Sequence, residues 1–148
     1  MRTPQISKAY ASLLTVILAG APLLPASQAQ DLENAATVNV PFAFADGSQH
    51  FTAGRYTIST NDQHIVNIRG ESSSGFAMAW FNEDSQPSKT TKVVFSKCGD
   101  QYFLQEIWLA GETSHTYLLP SKAEKLETSA NRVAPTSVVV AALGPSHP

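Results

Sequence analysis

The chain has 148 residues, with 10 Lys+Arg against 12 Asp+Glu, a single Cys and 43% apolar residues. That length suits one domain of ordinary size. The apolar fraction excludes a generally disordered chain, and the near-neutral balance excludes the basic footprint of a nucleic-acid binder. One Cys excludes an internal disulfide or a multi-cysteine zinc site.

The first element in chain order is an export signal. Arg2 and Lys8 form a positive start without acids, Ala9 to Ala21 is mostly apolar, and Ser27-Gln28-Ala29 offers small residues where a signal peptidase reads. This order predicts a signal peptide over 1–29, cut after Ala29. The apolar run is shorter than the ~20 residues of a membrane span, and no Cys follows it to carry a lipid. The expected product is a secreted or periplasmic chain without a stable membrane anchor. Loss of Arg2 and Lys8 leaves it mildly acidic, with eight basic residues against twelve acidic ones.

Residues 30–36 read as a flexible lead-in, 37–143 as a single β domain, and 144–148 as a disordered tail. In Thr37 to Ala45, the residues Val38, Val40, Phe42 and Phe44 alternate as one face of a strand, with Pro41 marking an edge or bulge. Asp46-Gly47 and Ala53-Gly54 are turn signals, followed by strands at Arg55–Ser59, His64–Ile68 and Phe76–Phe81. Thr90 to Ala110 forms a hairpin around Cys98-Gly99-Asp100. A three-residue loop there pairs Phe95 with Phe103 and Lys92 with Glu106; a two-residue Gly99-Asp100 turn pairs Phe95 with Leu104 instead. Aromatic and charge matching favours the first register.

His115–Leu119 is the next strand. Ser121 and Glu124 then have the spacing of a capping box, starting a short helix from about Lys122 to Ala130, and Ser137–Leu143 reads as a last buried strand. Short strands separated by turn chemistry indicate an all-β fold: a single antiparallel meander of about eight strands, with one short helix before the last strand. It forms either a sandwich or a small, partly open barrel.

Few residues propose chemistry. His50, His64, His115 and His147 lack metal-ligand spacing, so neither a metal site nor a cofactor is expected. No Gly-x-Ser-x-Gly motif is present. Cys98, at a hairpin tip, is the candidate reactive thiol or a small buried hydrophobe. Glu106 shares a strand face with Tyr102, Leu104 and Trp108, making it the candidate titratable group; a cross-strand ion pair with Lys92 is the plainer reading. The aromatic residues Tyr56, Trp80, Tyr102, Trp108 and Tyr117 are the candidate ligand or partner surface. In the pairs Trp80–Phe81 and Tyr102–Phe103, successive side chains point to opposite faces, so one of each pair must leave the main core.

The segments Val38-Asn39-Val40-Pro41-Phe42-Ala43-Phe44, Ala53-Gly54-Arg55-Tyr56-Thr57-Ile58, Val93-Val94-Phe95, Gly99-Asp100-Gln101-Tyr102-Phe103-Leu104 and Ile107-Trp108 together resemble a family of small uncharacterised secreted proteins numerous in acidobacterial genomes. The similarity runs through most of residues 37–127. It implies export and a common fold, and carries no catalytic residues. Cys98 departs from the larger or aromatic residue expected before Gly-Asp.

The functional expectation is a non-enzymatic extracytoplasmic β domain that binds a protein, a surface polymer or a small molecule. A small-ligand carrier with a barrel lumen is the alternative, and a hydrolase with an unidentified site is a third reading.

Overall fold

Alternation of large apolar residues with small or polar ones becomes strand geometry in eleven segments of the computed structural model, which describes residues 35–132 and 134–144. The expected signal peptide with its cut after Ala29, most of the lead-in, and the tail with His147 lie outside the described residues. The strands are β1 (Ala35–Val40), β2 (Phe44–Asp46), β3 (Gln49–Phe51), β4 (Gly54–Thr60), β5 (Ile65–Gly70), β6 (Ser74–Met78), β7 (Trp80–Glu83), β8 (Lys92–Cys98), β9 (Gln101–Trp108), β10 (Ser114–Tyr117) and β11 (Thr136–Ala141). A single described helix, α1 (Lys122–Asn131), precedes β11.

These strands form a two-sheet sandwich. One sheet runs β1-β4-β5-β6 and the other β11-β8-β9-β10-β7, the latter also carrying the β2–β3 hairpin through one parallel contact, Ala45 with Phe103. There is room for β2 at that point because β10 pairs only with residues 106–108 of β9. The sheets are not closed into a barrel. The space a lumen would occupy is filled by Val38, Tyr56, Ile58, Val66 and Ile68 from one side, and Val93, Phe95, Leu104, Ile107 and Leu118 from the other. Phe95 meets Phe42 and Phe44 edge to face, at 5.2 and 5.1 Å between ring centroids.

Several expectations change in detail. The strand expected to start at Thr37 starts at Ala35, and it breaks after Val40, where Pro41 removes a ladder donor. The strand expected over 76–81 divides at Ala79. That residue is buried and its N–H donates to the His64 carbonyl, so the chain leaves the edge of one sheet as β6 and enters the edge of the other as β7. The meander holds within β4-β5-β6 and β8-β9-β10. Beyond those runs, β7 crosses to lie beside β10, as in a Greek key, and β11 returns to β8.

The hairpin register is also corrected. Cys98 pairs with Gln101 and Phe95 with Leu104 across the two-residue Gly99-Asp100 turn. Gly99 takes φ 61° while Asp100 stays at negative φ, as in the II′-type turn that matches strand twist. A bulge at Gln105 then resets the pairing, so Glu106 opposes Val94 and Trp108 opposes Lys92. Aromatic and charge matching had favoured a longer loop, whereas turn geometry and one extra residue satisfy both halves of the hairpin.

The helix forms as its cap predicts. Ser121 Oγ accepts the Glu124 N–H at 3.1 Å, and Arg132 ends the helix in the left-handed region at φ 52°. It packs on the outer side of β8, so the large sheet is buried on both faces at that end.

Candidate functional site

β-Strand alternation and the register of the large sheet together decide which candidate residues meet. Lys92, Trp108, His115 and Asn82 are successive cross-strand partners from β8 to β7, and Val94, Glu106, Tyr117 and Trp80 form the adjacent row. Residues two apart on a strand share a face, so both rows lie on one face of the sheet, turned away from the core. Four sequence candidates, Trp80, Glu106, Trp108 and Tyr117, therefore come together.

Trp108 is the fixed centre of this face. Its ring stacks on that of His115, with centroids 3.9 Å apart and an 11° interplanar angle, and Lys92 Nζ lies 4.7 Å from the indole centroid. Its Nε1–H donates to Glu106 Oε2 at 2.8 Å. His115 Nδ1 is 2.7 Å from Asp84 Oδ2. Lys92 and His115 reach the indole from strands on either side, and Trp108 is tied at its edge as well. By contrast, Trp80 is 52% exposed on the edge strand beside Tyr117. The free aromatic surface of the face is thus Trp80 with Tyr117, flanked by a fixed array of indole, imidazole, ammonium and carboxylates. Beside it, Lys92, Trp108, Asp84 and the 85–90 loop line a shallow cleft of about 420 Å³.

Glu106 does not pair with Lys92 and does not share a face with Leu104. The bulge at Gln105 flips the phase of β9, sending Leu104 and Ile107 to the core and Glu106 and Trp108 outward. Its carboxylate is engaged by the indole N–H.

Two other candidates belong to the core. Tyr56 is buried, its hydroxyl donating to the Thr52 carbonyl at 2.6 Å and lying 3.2 Å from Ser73 Oγ. Tyr102 stacks on Phe42 at 3.9 Å and packs against the same core. Its neighbour Phe103 points the other way and is buried with Ala45 and Cys98. That pair achieves two-sided burial, while Trp80 and Phe81 both remain about half-exposed.

Of the two readings of Cys98, the structure has the buried one, at 2% exposure. It sits on the face of β8 that α1 covers, with Sγ 3.4 Å from Thr128 Oγ1. The Thr128 hydroxyl donates to the Glu124 carbonyl, which leaves the thiol as the donor toward Thr128.

Among the described residues no group of three or more His, Cys, Asp or Glu could hold a metal ion. His50, His64 and His115 stay apart, and the His64 ring lies against Phe81 at 4.8 Å. Asp84 orients His115 as a carboxylate orients a catalytic histidine, but no hydroxyl or thiol among the described residues is hydrogen-bonded to that imidazole. Away from this face, burial pushes the Asp46 carboxyl, in the β2–β3 hairpin, up to about 6.

No family model, curated protein or solved structure matches this chain. The site is read from its own geometry. Asp84, Lys92 and His115 were not candidates for this face from the sequence, since only the cross-strand register places them around Trp108.

Proposed function

We propose that this protein is a non-enzymatic, extracytoplasmic binding domain, and that the outward face of its large sheet is the binding surface. The cross-strand pair Trp80–Tyr117 carries the reading: a half-exposed indole on an edge strand beside a phenol, on the same face as the braced Trp108. Aromatic side chains of this kind offer an apolar body with a polar tip and lose little freedom on binding. The surface is shallow, which suits an extended partner, a surface polymer or peptide, better than an enclosed small molecule. The signal-peptide pattern and the resemblance to small secreted proteins support an extracytoplasmic place of action.

The experiment is to purify the protein from its native source, identify what co-purifies, and titrate that component against the wild type and Trp80→Ala/Tyr117→Ala. The expected result is at least a tenfold loss of affinity in the double variant, as for removal of a central aromatic anchor. Unchanged affinity in the double variant would overturn this reading.

A further inference from the structure

The four-stranded sheet β1-β4-β5-β6 ends in an open edge. β6 is its last strand, and no other strand among the described residues pairs with its outer side. The direction of its free groups follows from two hydrogen bonds. Gly70 N–H donates to the Ser73 carbonyl, and Ala79 N–H to that of His64. Residues 73, 75, 77 and 79 therefore turn their backbone groups toward β5, while Ser74, Phe76 and Met78 turn theirs outward. The same alternation leaves Phe76 68% and Met78 78% exposed on the outer face of the sheet.

Natural edge strands are usually blunted by charge, proline or a bulge. None of these interrupts the stretch from Ser72 to Asn82.

We infer that this edge pairs with the same edge of a second copy of the chain, antiparallel and about a two-fold axis at Phe76. The free groups are self-complementary under that axis: Phe76 meets Phe76 of the second copy, and Ser74 meets Met78 on each side. The isologous pairing joins the two four-stranded sheets into one continuous sheet. The rows it creates contain no opposed like charges. The central row is Asn67, Phe76 and their two counterparts, and Arg69 lies in line with Ser74 and then Met78 of the second copy. Charge thus does not oppose self-pairing.

The area sets the strength of the contact. Large side chains carry on the order of 200 Å² each, so Phe76 and Met78 leave roughly 300 Å² of apolar surface per chain. Backbone included, the contact falls below about 1,200 Å², the range of small and reversible interfaces. The dimer is therefore concentration-dependent. This surface lies on a different sheet from the Trp80–Tyr117 face, so its test is independent of the proposed function.

The test is sedimentation equilibrium of the full chain, as its host processes it, from micromolar to millimolar concentration. The expected mass rises from one copy toward two. Phe76→Lys and Met78→Lys, both at exposed positions, keep the monomer's far-UV spectrum and melting temperature and abolish association. The register is tested by oxidation in a Cys98→Ser background. Facing Cα atoms in a hydrogen-bonded antiparallel pair lie about 5.5 Å apart, within disulfide range, so Phe76→Cys cross-links two copies. Met78→Cys, with its counterpart four residues out of register, does not cross-link. A mass of one copy at every concentration, whatever else binds the edge, overturns the inference. So does association that survives both Lys variants, or cross-linking through Met78→Cys in preference to Phe76→Cys.

Discussion

Asp46 offers a direct test of the electrostatics of this fold. It closes the β2–β3 hairpin opposite Gln49, and partial burial pushes its carboxyl from the ordinary range up to about 6. A folded-state value above the unfolded one means that ionising Asp46 costs stability. The stability is fully present below about pH 4 and is lost as pH rises through about 6. Two decades in proton affinity correspond to about 3 kcal/mol. Asp46 is only partly buried, and screening by water reduces the expected cost to about 1–2 kcal/mol. Asp46→Asn removes the charge and keeps the shape. The turn itself is undisturbed, since Gly47, at φ 58°, takes the left-handed backbone. Urea unfolding followed by far-UV circular dichroism should show the variant more stable than the wild type by about 1–2 kcal/mol at about pH 8, and equal to it at about pH 3. The same difference at both pH values, or a less stable variant at about pH 8, would refute the reasoning.

Three further perturbations test the packing. Phe95→Ala empties a fully buried position between Phe42 and Phe44 and should lower unfolding free energy by about 3–5 kcal/mol, measured as a fall in the urea midpoint at constant slope. Gly99→Ala places a Cβ at φ 61° and 2.7 Å from the Asn131 side-chain amide; calorimetry should show a loss of about 1–3 kcal/mol. Ser121→Ala removes the cap of α1, at about 1 kcal/mol, and because α1 covers Cys98 the thiol should react faster with an aromatic disulfide reagent than in the wild type.

Much of this architecture can be read along the chain, because strand alternation and turn residues are local signals. The helix is legible for the same reason: Ser121 and Glu124 lie within one turn of each other. The limits appear where a decision depends on residues far apart. Nothing in Gln101–Trp108 marks Gln105 as an extra residue. The bulge becomes visible only when β8 is laid alongside, yet it turns Glu106 away from Leu104 and brings Trp108 to Lys92. Cys98 sits beside a turn, and its burial depends on a helix more than twenty residues later. The aromatic candidates divide likewise: period two marks Tyr56, Trp80, Tyr102, Trp108 and Tyr117 as strand residues, but which sheet face meets the other sheet is a tertiary choice. The Asp84–His115 contact spans the loop and hairpin between β7 and β10, with no sequence spacing to announce it.

The two sheets also touch at the side opposite Ala79, where Val38 bridges to Ala142 and Leu143 N–H donates to the Thr37 carbonyl at 2.7 Å. That contact joins the first described strand to the last, closing a loop of nearly the whole domain. Closing a loop of that span costs chain entropy before the contact is gained. Until β11 is in place, β8 has a bare edge and β1 lacks its neighbour across the seam. A growing chain therefore cannot complete the environment of β1 until β11 and Leu143 have been made.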